Sequence, residues 1–355
     1  MSGHRNQILD ALRALAIMLV FLGHCVNSYG SPSWLAPLQF GGTGVDLFFV
    51  LSGWLIGNQL FSERDRFSNI EVVRFWLRRW MRTMPAYFAV LGLTITQLYI
   101  TKDAFNFPWA HLFFLQNYIG ESAVFFVSWS LSVEEQFYLF IAPFVVFITK
   151  RDKAFQAIAL FVLLVSPSVF RSLGLYESLH ETHVRLDCCA MGVSLAFIKH
   201  YYAGIWCTLS SNMKWLFPLS FTIYILFYIN RYNPLFGFSD PNTLHLAILF
   251  GTWIVWADST SVRIKPTYHA IIYFISTRSY SMYLLHVDAL ALTKRFLTTD
   301  VPFPVYYIVA IILTFVVSEV LYRCIEIPFM NARQLFRLSR PRGISSGLAK
   351  DGTHI

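Results

Sequence analysis

The sequence predicts an all-α protein, a polytopic transmembrane helical bundle of about ten spans. Three observations carry that expectation. Of the 355 residues, 56% are hydrophobic and 17% aromatic, with a mean hydropathy of +0.52. Only 14% are charged, whereas soluble domains average about 25% and need them to cover a water-facing surface. Apolar runs of about 20 residues, the length that crosses roughly 30 Å of hydrocarbon, recur along the whole chain. No soluble domain fits between them. Residues 1–340 therefore read as one membrane-embedded domain, and 341–355, with glycine, serine and charge but no periodicity, as a disordered tail.

In chain order, the spans are expected at 11–29, 45–61, 84–100, 131–149, 155–174, 187–205, 215–230, 244–258, 268–290 and 303–323. His4 and Arg5 ahead of the first span resemble the start of a signal peptide. No small-x-small cleavage site follows, so this span is expected to be retained. The connection after the second span holds Arg64, Arg66, Arg74, Arg78, Arg79 and Arg82, and the one after the third only Lys102, which makes the arginine-rich side cytoplasmic. Counting alternately, Lys150, Arg151, Lys153, Lys199, Lys214, Arg263 and Lys265 fall inside, and both termini face the cytoplasm. Arg171, Arg231, Lys294 and Arg295 run against the count. Pro32 and Pro37 in 30–44, and Asn233-Pro234 and Asp240-Pro241 in 231–243, are turn signals for ordered outer connections.

The formal charge of +8 sits in short clusters between apolar segments. Such clusters fit topology and anionic lipid headgroups, and no nucleic-acid partner is expected. Cys25, Cys188, Cys189, Cys207 and Cys324 are odd in number and form no Cys-x-x-Cys pair, so neither a metal site nor a disulfide framework is indicated. Vicinal Cys188 and Cys189 read as small packing residues.

Asp10, Arg13, Ile17, Val20 and His24 share one face of the first span, because a helix advances about 100° per residue. Arg13 and His24 lie roughly 16 Å apart along the axis, so one sits near a membrane surface and the other deep. Ionisable groups at depth usually face a cavity or a partner. His24, Asp46, Glu134, Glu135 and His286 all map to the outer half, and a histidine flanked by carboxylates suits general-base chemistry on a hydroxyl. Plainer roles stand beside these. Asp46 could complement a helix N-terminus, and Ser132-x-x-Glu135 fits a capping box. Arg185 and Asp187 could pair at the mouth of the sixth span, and Glu319 with Arg323 at the end of the tenth. Arg74, Arg78 and Arg82 share a helical face, and their forks would suit a phosphorylated cytosolic donor such as coenzyme A. Lipid contact explains the same cluster without a ligand.

Taken together, the motifs Leu9-Asp10-Ala11-Leu12-Arg13-Ala14 with His24, Gly41-Gly42-Thr43-Gly44-Val45-Asp46 running on to Gly53, Arg78-Arg79-Trp80-Met81-Arg82-Thr83-Met84-Pro85, Trp129-Ser130-Leu131-Ser132-Val133-Glu134-Glu135-Gln136-Phe137-Tyr138, Tyr280-Ser281-Met282-Tyr283-Leu284-Leu285-His286 and Ile325-Glu326-Ile327-Pro328-Phe329 resemble, in order, those of the membrane acyltransferase 3 family. The resemblance implies about ten spans and a bacterial cytoplasmic (inner) membrane. It also implies transfer of an acyl group, usually acetyl from cytoplasmic acetyl-CoA, to extracytoplasmic sugars of surface polysaccharides. His24 matches the family's essential histidine and Asp46 the acidic residue after the glycine-rich turn. Arg13 matches the first-motif arginine, and Arg78, Arg79 and Arg82 the arginines associated with the donor. Some members carry a soluble hydrolase-like domain after the last span, so this chain is expected to act alone or with a separate partner.

The expected mechanism docks acyl-CoA against Arg78, Arg79, Arg82 and Arg13. His24, oriented by Asp46 or Glu135, deprotonates a hydroxyl of a sugar or lipid-linked glycan; a relay through acetyl-histidine stays open. The alternative is a proton-coupled transporter or flippase using His24, Asp46, Glu134 and Glu135 as a relay. The absence of an inverted repeat argues against it.

Overall fold

The computed structural model describes residues 6–101, 105–120, 124–230, 242–297 and 301–336, among which there is no β-strand. The turn motifs at 233–241 and the tail at 341–355 lie outside them.

Helix α1 (Gln7–Tyr29) starts where Asn6 accepts hydrogen bonds from the amides of Ile8 and Leu9, at 2.9 and 3.1 Å, and ends at Gly30 with φ 111°. These are an N-cap and a left-handed C-cap that only glycine adopts without cost. The connection that follows is a 3₁₀ stretch, Ser33–Thr43, folded back on α1. Its glycines permit the approach: a Cβ on Gly41 would lie 2.3 Å from the Leu19 carbonyl, and one on Gly44 2.3 Å from that of Ala16.

Helix α2 (Gly44–Phe67) runs through the centre of the molecule. The apolar window within Ser33–Phe67 is 83% buried, against 17% for that within α7 (Lys153–Ser172), whose Ile158, Phe161 and Val162 face outward. In a membrane the outward face meets lipid rather than water. Between them come α3 (Val72–Thr101), the single turns α4 (Trp109–Leu112) and α5 (Gln116–Ile119), and α6 (Ser128–Ile148). Helix α8 (Asp187–Tyr201) packs along α2 with backbones nearly touching, at Gly53 and Gly57 on one side and Gly192 on the other. Small residues at this spacing let membrane helices pack closely when no water is present to drive association.

Helices α9 (Ala203–Asn230), α10 (Thr243–Ser259) and α11 (Pro266–Phe296) follow, and α11 lies against α1. Helix α12 (Phe303–Leu321) leads into a widened π turn, Tyr322–Glu326, then α13 (Ile327–Ala332) and a 3₁₀ turn, Arg333–Phe336. The π turn brings buried Glu326 to accept from the Ser281 hydroxyl of α11, and the segment beyond it covers the start of α3.

Every expected span overlaps one of these longer helices. Among the described residues, six helical stretches are long and apolar enough to cross a membrane: Gln7–Tyr29, Ser33–Phe67, Val72–Thr101, Ser128–Ile148, Lys153–Ser172 and Phe303–Phe336. The protein is a multi-pass membrane protein by that composition. The capping box expected at Ser132 does not form. Helix α6 already starts at Ser128, so Ser132 is inside it and bonds back to the Ser128 carbonyl at 3.4 Å.

Candidate active site

Helix α3 begins twelve residues before the third expected span, and that extension carries the arginines. Arg74 is held by Glu63 and by Glu71, the latter at 3.2 Å, and anchors the α2–α3 connection. Arg78, Arg79 and Arg82 line a vestibule of about 600 Å³, together with Asn6 and Asp10 at the start of α1 and Tyr322 and Arg333 near the end of the described chain. Arg78 also reaches the carbonyls of Arg333 and Phe336, at 3.4 and 3.3 Å.

A second cavity of about 100 Å³ continues inward, and Arg13, Leu55, Arg79 and Arg82 line both. Those four form the neck between them. Beyond it the lining changes to Ser52, Ser130, Glu134, Tyr138, Tyr280 and Tyr283. Arg79 lies over the Tyr138 ring at 5.0 Å, and its Nε is buried with no hydrogen-bond partner among the described residues. Arg13 is tethered to Asp10 at 3.3 Å, and Asp10 accepts from Ser276 of α11 at 3.1 Å. The polar face expected on α1 is formed: Asp10, Ile17 and Val20 are buried, and Arg13 and His24 half-buried.

His24 meets α11. Its Nδ1 is 2.7 Å from Nε2 of His286, which is fully buried and lies one turn past Tyr283 of the inner cavity. The Tyr283 and His286 ring centroids are 5.7 Å apart. The two histidines are 262 positions apart in sequence. Sequence reasoning put His286 in the same half of the bundle as His24 and gave it no role, because periodicity within one helix says nothing about which other helix faces it.

The carboxylates expected to orient His24 are engaged elsewhere. Glu135 accepts from the Thr83 hydroxyl of α3 at 2.7 Å. Glu134 lies in the inner cavity wall with Ser52 and Tyr138. Asp46, in the first turn of α2, pairs with Arg185 at 2.9 Å. Asp187, expected to be the partner of Arg185, instead pairs with Arg171 at 2.8 Å and accepts from Thr243 at 2.5 Å. This cluster of two arginines and two aspartates also settles the electrostatics of Arg171, which ran against the charge count. Cys188 and Cys189 are buried beside it, with Cys188 Sγ 3.5 Å from the Thr243 carbonyl. Glu319 and Arg323 pair at 2.5 Å as expected, and Arg278 of α11 joins them. Among the described residues no group of three or more His, Cys, Asp or Glu is placed to hold a metal.

The Asp46–Arg185 pair supplies a stability test. Both side chains are mostly buried, at 6% and 15% exposed. Removing one member strands a charge at a cost of about 3–5 kcal/mol, whereas replacing both with apolar residues is often neutral. Arg185→Met is therefore expected to lower the unfolding midpoint in nanodiscs sharply, and Asp46→Leu/Arg185→Met to recover most of the loss. A double variant as unstable as the single would show that the pair is not what the single variant breaks.

Residues 6–323 match the family model described as "Acyltransferase domain". The chain belongs to the acyltransferase 3 family. Similar proteins include one named "Putative O-acetyltransferase" from Staphylococcus aureus strain COL, 30% identical over 364 residues, and O-acetyltransferase OatA from S. aureus strain NCTC 8325, 29% identical over 368 residues. Both alignments take in 90% of this chain and 56% of the relative, so the chain spans about half the length of the relatives it matches. No solved structure matches it. Within this acyltransferase 3 chain, the match takes in the inner cavity, the histidine pair and all of the vestibule lining except Met330 and Arg333.

Proposed function

We propose that the protein is a membrane O-acetyltransferase that moves an acetyl group from cytoplasmic acetyl-CoA to a hydroxyl of an extracytoplasmic sugar or lipid-linked glycan, in a bacterial inner membrane. The observation that carries the reading is the pair of cavities that share Arg13, Arg79 and Arg82, with Tyr283 in the wall of the inner one packed beside His286. Arginine forks match phosphate geometry bidentately, and the relatives' names supply the acyl chemistry.

In this reading Arg78, Arg79, Arg82 and Arg13 hold the donor's phosphates, and the uncharged pantetheine arm passes the neck into the smaller cavity. His24 takes the proton of the acceptor hydroxyl as its oxygen attacks the thioester carbonyl. The tetrahedral intermediate collapses with cleavage of the C–S bond, and the thiolate leaves with the proton from His24. With the ten spans and cytoplasmic termini expected from the sequence, the vestibule would open on the donor's side. Asp46 and Glu135 are structural in this reading, engaged by Arg185 and Thr83, and Glu134 faces the inner cavity.

The test is acetyl-CoA binding and consumption by purified protein in nanodiscs, with a lipid-linked glycan as acceptor. Charged hydrogen bonds contribute about 1.5–3 kcal/mol each, so Arg78→Ala/Arg79→Ala is expected to weaken donor binding at least 100-fold while the protein stays folded. Unchanged binding would remove the arginines from the donor site. Folded wild type that consumes no thioester would favour a transporter built on the same buried histidine and carboxylates.

A further inference from the structure

The histidine pair is built so that only one arrangement of its protons satisfies every contact. His286 Nδ1 is 2.8 Å from the Tyr283 carbonyl and 3.2 Å from that of Met282. A carbonyl only accepts, so Nδ1 of His286 carries a hydrogen. With the pair uncharged, Nε2 of His286 then bears a lone pair. That lone pair faces His24 Nδ1 at 2.7 Å, and two bare nitrogens at this distance would repel, so Nδ1 of His24 carries a hydrogen and donates it. The remaining ring nitrogen of His24, Nε2, is left unprotonated.

Ring geometry supports a directed bond. In a five-membered ring of bonds near 1.35 Å each atom lies about 1.15 Å from the centroid. Two such rings meeting edge to edge through one nitrogen contact have centroids about 5 Å apart. The observed centroid separation is 4.9 Å with 22° between planes, so the rings lie nearly in one plane and the N–H points along the contact. His286 is itself fixed: its carbonyl acceptors belong to the preceding turn of its own helix, and it is fully buried.

We propose that His286 is a positioning residue that locks His24 into the Nδ1–H tautomer, so that Nε2 is the nitrogen that accepts the substrate proton. An unconstrained histidine side chain favours the opposite tautomer, with the hydrogen on Nε2, which could not act as a base there. During transfer the hydroxyl proton moves to Nε2, the imidazolium keeps its Nδ1–H bond to His286, and the same proton leaves on the thiolate. His286 neither touches substrate nor changes its own protonation. The assignment of the base deepens the acetyltransferase reading and rests on it, but the tautomer itself does not.

Nitrogen-15 NMR of histidine-labelled wild type in nanodiscs, without donor or acceptor, reads the tautomer directly. The expected result is a protonated Nδ1 and an unprotonated Nε2 on His24. The reverse pattern overturns the proposal, whatever the enzyme proves to do. Kinetics with acetyl-CoA and a lipid-linked glycan then tests the consequence. His286→Phe keeps a planar ring and removes the acceptor. It should lower kcat about 100-fold with KM for acetyl-CoA unchanged, and should return His24 to Nε2–H. His286→Gln, whose amide oxygen can accept from Nδ1, should recover at least tenfold. Equal kcat for wild type and His286→Phe, or no recovery by a folded His286→Gln, would refute a positioning role. Absence of any thioester turnover in wild type would instead refute the acetyltransferase reading and leave the NMR result standing.

Discussion

His24→Ala is expected to bind acetyl-CoA as wild type does and to transfer no measurable acetyl group. Positioned general bases contribute about 10²–10⁴-fold, equivalent to about 3–5 kcal/mol of barrier. Binding should survive because the vestibule arginines lie near the start of α1, whereas His24 is eleven residues beyond Arg13, roughly 16 Å along the helix. Stability should survive too. His24 is half-buried, and His286 keeps its carbonyl contacts when the partner ring is removed. Isothermal titration for the donor and thiol release for the reaction separate the two quantities. Normal transfer by His24→Ala would move the proton acceptor to the inner cavity wall, where Glu134 is the carboxylate closest in role.

The second large effect concerns folding. Gly192→Val is expected to prevent the protein from accumulating in the membrane, and Gly53→Val to do the same. A Cβ on Gly192 would lie 2.3 Å from both the Val50 carbonyl oxygen and the Trp54 amide nitrogen, and one on Gly53 2.0 Å from the Cys189 carbonyl oxygen. Those atoms are backbone of the facing helix, so no rotamer change relieves the clash and α2 and α8 must separate. Overpacking a core costs about 1–3 kcal/mol, and more when backbone must move. Gly42 and Gly92 provide the control, since nothing lies within 4 Å of a Cβ at either. Alanine there should leave the unfolding midpoint within a degree or two. A Gly192→Val protein as stable as wild type would show that the two helices can part without loss.

The helices were legible in the sequence because the bilayer imposes a length on each apolar run, and a run is a local property. The polar face of α1 was legible for the same reason, since Asp10, Arg13 and His24 are related by one helix's own period. Boundaries set by polar residues were less so: α3 gains a water-side extension of arginines, and α6 starts four residues before the serine read as its cap. The single turns α4 and α5 are too short for any period to mark. Pairings between helices were the least legible. Asp46 meets Arg185 across 139 positions and His24 meets His286 across 262, and only tertiary packing chooses those partners. Two carboxylates expected at the depth of His24 therefore looked like its partners, when a second histidine holds that place.

The widened turn at Tyr322–Glu326 changes how this region can tolerate lost residues. Such a turn absorbs one residue more than a regular α-helical turn, so the helix on either side keeps its facing although the count between them is one too many. Deleting a single residue from the interior of α12 would swing everything downstream by about 100° and carry Glu326 away from Ser281. Deleting exposed Cys324 removes the surplus instead. The flanks should close into an ordinary helix with α13 still lying over α3, so a shortening that would be ruinous a few positions earlier becomes a near-neutral change of length.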